Sequence, residues 1–374
     1  MENVSQPDLS RLPIMTYFPG DGGPYITSGV VVSRFEDKIN ACVHRLMVLG
    51  KDRLAARLVP GRHTHQLYEA ALAKGKEVAV AVAIGVDPLV LMAASTRVPP
   101  EMECCYAAAL RGSHVELIAL DNGVLVPHAQ LVLEGYITTE RAPEGPFVDI
   151  TGTRDLVRQE PVIRLTRMMM CNEPIYHGLL PAGGEHKMLM GVPYEPLIYR
   201  EASKVAKVND VMLTVGGCCY FHAVVQIEME TEADARRASD AAIKAHRPAL
   251  LTIVQGETSN TVWNRYLPEI CAVARAYDCL MVVDAVCTLS TMRLDMDEWG
   301  VDALITGGQK GLSSIPGVSL LAFSDQAWKK IEGRNAPMAH WCLDARLADR
   351  FWNKNSYHYT APVSGIMAIH EALR

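Results

Sequence analysis

The sequence predicts an α+β region with a mostly antiparallel sheet, followed by a partial α/β region. Runs rich in Val, Ile and Thr, separated by short polar turns, dominate residues 1–247 and are typical of antiparallel strands. From residue 248 onward, continuous apolar strands alternate with helical segments, which indicates a parallel sheet covered by helices. We therefore predict two domains, 1–247 and 248–374, with a boundary near Arg247-Pro248.

Local patterns define the elements of the first region. Residues 64–74 have apolar side chains at helical spacing and end at Gly75, a common helix stop. Asp87 before Pro88 predicts a capped helix start. The predicted strands are 24–34, 39–49, 53–59, 78–84, 115–120, 130–137, 162–169, 211–215 and 221–229, and an amphipathic helix is predicted from 231 to about 246.

The second region has fewer elements, and its strands are apolar throughout. Short apolar runs of this kind are typical of strands buried on both faces of a sheet. The predicted strands are 250–254, 280–286, 303–306 and 318–323, with a helix at 267–277 and a further segment at 292–299.

Composition excludes several classes of function. The net charge is −6 and no cluster of Lys and Arg is present, so nucleic acid is not expected as a partner. The apolar run at 79–83 is too short to span a bilayer, and the N-terminus lacks the pattern of a secretory signal. The ten cysteines contain no Cys-x-x-Cys pair, which favours reduced, mostly buried thiols in a cytoplasmic protein over a zinc site.

Two carboxylates in the first region are candidates for acid–base chemistry. Glu144 and Asp149 flank a Gly-Pro-Phe-Val stretch, and Gly-Pro predicts a loop. Two carboxyl groups on one tight loop can differ in environment, so that one stays ionised while the other holds a proton. Taken alone, the pair is weak evidence for a site, and a solvated acidic loop is the simpler explanation.

Further polar residues are candidates for binding. Arg45 lies in a predicted strand and can bind a substrate carboxylate through two hydrogen bonds, although a surface arginine is the simpler explanation. Asn40, His63 and Glu103 carry oxygen and nitrogen donors suited to Mg²⁺ or Mn²⁺. Spacing alone does not make these three a site, since a single histidine is more often hydrogen-bonded near the core.

Several long motifs follow one another in residues 10–247. They are Leu-Pro-Ile-Met-Thr (12–16), Pro-Tyr-Ile-Thr-Ser-Gly (24–29), Asn40 with Arg45, Val-Ala-Ile-Gly-Val-Asp-Pro (82–88), Leu-Arg-Gly (110–112), Ala-Pro-Glu-Gly-Pro-Phe-Val-Asp (142–149), Pro-Ile-Tyr-His (174–177) and Gly-Gly-Cys-Cys (216–219). In this order and combination, the motifs make the region resemble the UbiD-type decarboxylases, which depend on prenylated flavin.

The resemblance implies a split-barrel flavin-binding core that uses prenylated FMN. It implies a metal site of Asn40, His63 and Glu103, which holds Mn²⁺ or Mg²⁺ against the flavin phosphate, with K⁺ as a further candidate ion. Arg45, Glu144 and Asp149 match the family's catalytic set, in which Arg45, paired with Glu144, orients the substrate carboxylate and Asp149 donates the proton.

The implied reaction is the decarboxylation, or the reverse carboxylation, of an α,β-unsaturated or aromatic acid by a homo-oligomer. In the family, a further N-terminal segment and a C-terminal oligomerisation region accompany this core. Residues 248–374 are expected to replace the latter.

In the second region, Lys310 follows one predicted strand and Asp284 ends another, and a Schiff-base lysine with an aspartate for the pyridinium nitrogen is the minimum apparatus for pyridoxal phosphate (PLP) chemistry. The region also contains the motifs Gln-Gly-Glu-Thr-Ser (255–259), Val-Val-Asp-Ala-Val (282–286), Gly-Gly-Gln-Lys-Gly (307–311) and Tyr-His-Tyr-Thr-Ala-Pro (357–362). With these motifs, residues 248–374 resemble class V aminotransferases of the alanine–glyoxylate type. The match implies cofactor contacts from Ser259 and Gln309, and phosphate contacts to a neighbouring subunit from Tyr357 and Thr360.

Three functional hypotheses follow from the two resemblances. The chain is a decarboxylase with an unusual C-terminal replacement, an aminotransferase whose first half has been replaced, or an inactive fusion of two truncated enzymes. The first hypothesis retains all six matched site residues, whereas the second lacks the family's N-terminal half and its substrate-binding arginine. Absorption bands of bound flavin or of a PLP Schiff base separate the three.

Overall fold

The computed structural model describes residues 3–231, 233–246, 250–257, 261–334, 338, 341–354, 356–357 and 359–374. The chain divides into two compact units, Met1–Pro193 and Tyr194–Arg374. The domain boundary predicted near residue 247 lies inside the second of these units. It stays a prediction. Among the described residues, no helix combines the length and the apolar character needed to cross a membrane.

A nine-stranded antiparallel sheet forms the first unit. Its order is β2-β5-β6-β11-β10-β7-β3-β4, with β1 paired to β11, while β8 and β9 form a separate hairpin. The strands are β1 (Asn3–Ser5), β2 (Tyr25–Ile26), β3 (Val30–Phe35), β4 (Lys38–Val43), β5 (Leu46–Val48), β6 (Arg53–Ala56), β7 (Val78–Val86), β8 (Leu117–Ala119), β9 (Leu125–Pro127), β10 (Ala129–Glu144) and β11 (Arg158–Met170). The helices are α1 (His63–Ala73), α2 (Pro88–Ser95), α3 (Glu103–Arg111) and α4 (Gly184–Gly191). The predicted α+β class is confirmed.

The central strand β7 shows why this sheet is stable. Its side chains alternate between two apolar clusters: Val82 and Ile84 pack into one, and Ala81 and Ala83 into the other. All four are fully buried. Full burial of a Val or Ile side chain contributes about 1.5–3 kcal/mol, so the central strand holds both layers together.

The local signals for helix ends agree with the structure in the first unit. The Asp87 side chain accepts a hydrogen bond of 2.8 Å from the Leu89 amide at the start of α2, as predicted. Helix α3, which was not predicted, ends at Gly112 in the left-handed conformation that glycine tolerates. The prediction that the strand at 130–137 ends there is wrong, because β10 continues to Glu144.

The second unit combines a hairpin with a four-stranded sheet. Its strands are β12 (Lys207–Leu213), β13 (Ala223–Glu228), β14 (Leu250–Val254), β15 (Gly256–Glu257), β16 (Val262–Trp263), β17 (Leu280–Asp284), β18 (Ala303–Gly307) and β19 (Ser319–Phe323). Its helices are α5 (Glu195–Ala202), α6 (Asp234–Ala245), α7 (Leu267–Ala276), α8 (Met296–Trp299), α9 (Asp325–Glu332), α10 (Ala345–Trp352) and α11 (Val363–Ala372).

The second sheet is mixed, in the order β14-β17-β18-β19. The first three strands are parallel, as predicted, but β19 pairs antiparallel with β18, so the prediction of a parallel sheet does not hold for this last strand. The chain returns from β18 to β19 through 308–318 without a helical crossover, and such a connection brings the next strand back in the opposite direction.

All ten cysteines are described, and each is a reduced thiol outside any disulfide. Cys271 and Cys279 are buried, whereas Cys105 is exposed and the others are half-buried. Reduced thiols were expected, but fewer of them are fully buried than the sequence predicted.

Candidate functional site

Half-buried Arg45 and fully buried Glu144 form an ion pair at one end of the first sheet. Arg45 immediately precedes β5, and Glu144 is the last residue of β10 and is fully buried. Arg45 Nε and Nη2 each donate a hydrogen bond of 2.9 Å to a different oxygen of Glu144. Burial alone would lower the pKa of Arg45, but the hydrogen bonds and charge of Glu144 raise that pKa above its ordinary value. The guanidinium is therefore held charged and in one orientation.

Two aromatic residues, Tyr25 and Phe147, contact this pair. The Tyr25 hydroxyl donates a hydrogen bond of 3.1 Å to Glu144 Oε1, and burial together with the charge of Glu144 raises the pKa of Tyr25. The Phe147 ring lies 4.9 Å from the Arg45 guanidinium carbon, a cation–π distance, and packs on Tyr25. Sequence analysis assigned neither residue a role, although both lie within the quoted motifs.

The segment after Glu144 leaves the sheet through a glycine turn. The prediction that Glu144 lies on a loop is wrong, since it pairs with Arg158 in the sheet ladder. Gly145 has a φ of +101°, which a residue with a side chain rarely adopts. A Cβ on Gly22 would lie 2.1 Å from the Gly145 carbonyl oxygen, so this close approach of the two backbones requires a glycine at position 22.

Asp149 belongs to a turn of its own. Its carboxylate accepts hydrogen bonds of 2.9 Å from the Thr151 amide and 2.5 Å from the Thr151 hydroxyl. Burial lowers the pKa of His186, and the negative charge of Asp149 opposes that decrease, which places His186 near Asp149. In the described residues, Asp149 thus bonds to its own turn rather than to the Arg45–Glu144 pair.

Asp155 is a second carboxylate on Arg45, and sequence analysis missed it. Its Oδ2 lies 3.0 Å from Arg45 Nη2, and its Oδ1 lies 2.5 Å from Arg158 Nη1. The motif at 142–149 ends six residues before Asp155, so no pattern in the sequence indicated a role for Asp155.

The structure brings two of the three predicted metal ligands into direct contact. His63 Nδ1 lies 3.2 Å from Asn40 Oδ1, and Asn40 Nδ2 donates a hydrogen bond of 2.9 Å to Thr64. Glu103 is buried nearby: burial raises its pKa, while the amides of Glu103 and Ala41 act to lower it. Because Ala41 follows Asn40 directly, the three predicted ligands converge on one region.

The donor set at this region fits a hard divalent cation. Within the described part of the chain, no three His, Cys, Asp or Glu side chains form a metal cluster, but the predicted set needs only two of these and an amide oxygen. Glu103 is buried and makes no ion pair with Lys or Arg among the described residues. A bound cation would offset the cost of that buried carboxylate, and oxygen donors are the ligands that Mg²⁺ and Mn²⁺ prefer.

The predicted PLP residues are only partly brought together. Asp284 ends β17 and pairs with Ile305 of β18, and Lys310 follows β18, so both lie at the same edge of the sheet. Asp284 accepts a hydrogen bond of 2.9 Å from the Val286 amide, whereas Lys310 is exposed.

The remaining predicted cofactor contacts lie in exposed positions or outside the described residues. The Gln309 side chain is exposed and lies over Gly307. The hydroxyls of Tyr357 and Thr360 are 2.9 Å apart and exposed. Ser259 lies outside the described residues.

Two protein families match this sequence. Residues 1–184 match the family described as 3-octaprenyl-4-hydroxybenzoate carboxy-lyase Rift-related domain, that is, UbiD. Residues 222–374 match the family described as aminotransferase class-V. Both resemblances found in the sequence are therefore confirmed.

Curated relatives match much of the chain. An anhydromevalonate phosphate decarboxylase from Methanosarcina mazei is 56% identical over 257 residues, covering 68% of this chain and 61% of the relative. A protein of the same name from Archaeoglobus fulgidus is 43% identical over 314 residues, covering 82% of this chain and 73% of the relative. The chain thus spans less than two thirds of the length of the M. mazei protein.

Solved structures support the same fold. The UbiD-class enzyme HmfF from Pelotomaculum thermopropionicum in complex with FMN is 29% identical, with a TM-score of 0.65, covering 93% of this chain and 77% of that chain. An evolved dimeric form of HmfF in complex with prFMN is 33% identical, with a TM-score of 0.64, covering 74% of this chain and 66% of that chain.

Proposed function

Since the chain belongs to the UbiD family, we propose that its first unit decarboxylates an α,β-unsaturated or aromatic acid with prenylated FMN and a divalent metal ion. The observation that carries this proposal is the doubly hydrogen-bonded pair of half-buried Arg45 and buried Glu144, with Asp149 close to it in the chain. A fixed guanidinium beside a carboxyl group suits the orientation of a carboxylate substrate and a later proton transfer.

Within this class, we propose an unsaturated acid that also bears a phosphate group. The relatives from M. mazei and A. fulgidus are named for anhydromevalonate phosphate, and they are 56% and 43% identical to this chain. Loss of water from a hydroxy acid leaves a carbon–carbon double bond, so such a substrate fits the proposed reaction class.

In the proposed reaction, each site residue of the first unit has its own role. Glu144 and Asp155 bind Arg45 through Nε and Nη2, which leaves Nη1 for the substrate carboxylate. Tyr25 also holds Glu144 in place, through a hydrogen bond to Oε1, the oxygen that accepts from Arg45 Nε. Asp149, on its partly exposed turn, delivers the proton to the carbon from which carbon dioxide has left. Prenylated FMN, when bound, supplies the electron sink for the reaction.

Asn40, His63 and Glu103 would hold the divalent ion. Their donors converge at the start of α1 and α3, and the buried carboxylate of Glu103 favours a cation at this position. Mn²⁺ and Mg²⁺ both suit the set, and K⁺ remains a further candidate ion. A homo-oligomer of this chain is also part of the proposal, and light scattering of the purified protein measures it directly.

The decisive variant is Asp149→Asn. The full chain, produced with a prenylated-flavin source, is assayed for carbon dioxide release and for the absorption band of bound flavin. We expect the variant to lose about 10²-fold or more of its turnover, because the amide cannot donate the proton, while the flavin band is retained. Asp37→Asn, on an exposed turn, is the matched control and is expected to retain full activity. Unchanged turnover in Asp149→Asn would exclude this role.

The second unit supports a second candidate function, PLP-dependent amino transfer. The observation that favours it is that Asp284 and Lys310 follow adjacent parallel strands at one edge of a sheet, in a region that matches class-V aminotransferases. Titration with PLP tests it: a Schiff-base absorption band that disappears in Lys310→Ala supports PLP binding. If neither a flavin band nor a Schiff-base band forms, the third hypothesis, an inactive fusion, is correct.

A further inference from the structure

Arg45 is shared between two carboxylates rather than one. Glu144 binds it through two hydrogen bonds of 2.9 Å, and Asp155 lies 3.0 Å from the same Nη2. Two carboxylates therefore contact one guanidinium, one of them shared with Arg158, and a substrate carboxylate that approaches Arg45 is a third. Since like charges repel strongly at partly buried sites, the second carboxylate must weaken the binding of the third.

A backbone hydrogen bond and an ion pair hold Asp155 at this position. The Asp155 amide donates a hydrogen bond of 2.7 Å to the Phe147 carbonyl oxygen, so the residue that stacks on Arg45 also anchors Asp155. Arg158 binds the other carboxylate oxygen at 2.5 Å. Although burial alone would raise the pKa of Asp155, Arg158 and Arg45 lower it, so Asp155 is charged at neutral pH.

A decarboxylase gains from weak binding of its substrate's carboxylate. When the bond to the carboxyl carbon breaks, its electron pair stays with the substrate and neutral carbon dioxide departs. The negative charge next to the guanidinium is therefore lost on the way to the transition state. An arginine with its full charge available would stabilise the ground state more than the transition state, which slows the reaction.

We propose that Asp155 is a positioning residue that competes with the substrate carboxylate for Arg45, and so keeps ground-state binding weak while the carboxylate is still oriented. This inference rests on the proposed decarboxylase function. Asp155 and the substrate carboxylate share the positive charge of Arg45. Asp155 itself does not contact the reacting atoms.

The kinetic test is Asp155→Asn in the full chain loaded with cofactor. Removal of one competing charge is expected to lower KM about 3- to 10-fold and to lower kcat by a similar factor, so that kcat/KM changes little. Asp155→Glu, which keeps the charge, is expected to restore both constants. A fall in kcat with unchanged KM would instead indicate a merely structural role and would overturn the proposal.

The first unit offers a closely matched control. Arg167 is bound by buried Glu134 and by exposed Asp121, as Arg45 is bound by Glu144 and Asp155, but Glu134 lies ten residues earlier on β10. Asp121→Asn therefore removes the same kind of charge away from the site. We expect it to leave KM and kcat unchanged; the same change in both variants would overturn the proposal.

A binding measurement separates this inference from the proposed function. The affinity of the cofactor-loaded protein for hexanoate, a saturated carboxylate that cannot react, is compared with its affinity for uncharged hexanamide. Asp155→Asn is expected to bind hexanoate about 3- to 10-fold more tightly at low salt and hexanamide no differently. An unchanged affinity for hexanoate refutes the role of Asp155, whereas absence of turnover in the unaltered protein refutes the proposed function alone.

Discussion

The two units of this chain place their candidate residues in similar positions but support them very differently. In the first unit, Arg45 and Glu144 lie at strand ends, and Tyr25, Phe147 and Asp155 surround them with specific contacts. In the second unit, Asp284 and Lys310 also follow strand ends. There Asp284 bonds to the nearby Val286 amide, and Lys310 is exposed, with no ion pair among the described residues.

The sheets that carry these residues differ in the same way. Strand β7 of the first unit is buried on both faces, in two separate apolar clusters. In the second unit, Met281 and Val283 are buried, but Ile305 and Leu321 are 37% and 57% exposed. A side chain keeps one rotamer only when the side chains packed around it are also fixed. The candidate site of the first unit is therefore preorganised, whereas the candidate residues of the second unit match their family but lack this packing.

The largest effect is expected where this preorganisation is broken. Arg45→Met would leave Glu144 fully buried without its cation, and loss of one partner from a buried pair costs about 3–5 kcal/mol. Urea unfolding of the full chain, followed by circular dichroism, measures the decrease in the free energy of unfolding.

Two further variants show whether this cost comes from the buried charge. Arg53→Gln removes an arginine from an exposed pair with Glu140 and is expected to cost less than about 1 kcal/mol. Arg45→Met combined with Glu144→Gln is expected to recover part of the stability, because no uncompensated charge remains. Equal losses in Arg45→Met and Arg53→Gln would contradict the contrast between the two regions.

A pair of core substitutions tests the contrast between the sheets. Ile84→Ala in β7 removes a fully buried side chain and is expected to cost about 2–5 kcal/mol. Ile305→Ala in β18 removes a side chain that is 37% exposed, so it is expected to cost about 1 kcal/mol or less. The urea concentrations at the midpoints of unfolding, compared between the two variants and the unaltered chain, measure both losses of stability. A loss at Ile305 as large as that at Ile84 would mean that the second sheet is covered in solution.

Features of this fold that depend on neighbouring residues could be predicted from the sequence, whereas features that depend on distant residues could not. The apolar run of β7 and the capping by Asp87 are properties of neighbouring residues, and both were predicted. The direction of β19 was not, because an apolar strand has the same pattern in either orientation.

The candidate site shows the same limit. The resemblance supplied Arg45 and Glu144, which the structure joins through two hydrogen bonds although 99 residues separate them. Gly-Pro was read as the start of a loop that included Glu144, but the ladder holds Glu144 in the strand through its pairing with Arg158. Asp155 was missed because its contact with Arg45 depends on how 145–157 folds back, and nothing in its neighbours indicates that contact.

The smallest effect expected is the pH dependence that Asp155 gives to stability. Although burial would raise its pKa, Arg158 and Arg45 lower it below the ordinary value near about 4. A carboxyl whose pKa is lowered by folding stabilises the protein above its unfolded pKa, and this contribution is lost as the pH falls through the folded pKa. Asp155→Asn is therefore expected to be less stable than the unaltered chain by about 1 kcal/mol or less at pH 7, and this difference is expected to shrink as the pH falls through the folded pKa of Asp155. Urea unfolding of both proteins across this range measures the difference; a difference that does not change with pH would show that Asp155 acts through neutral hydrogen bonds, and the charge competition at Arg45 would then lose its physical basis.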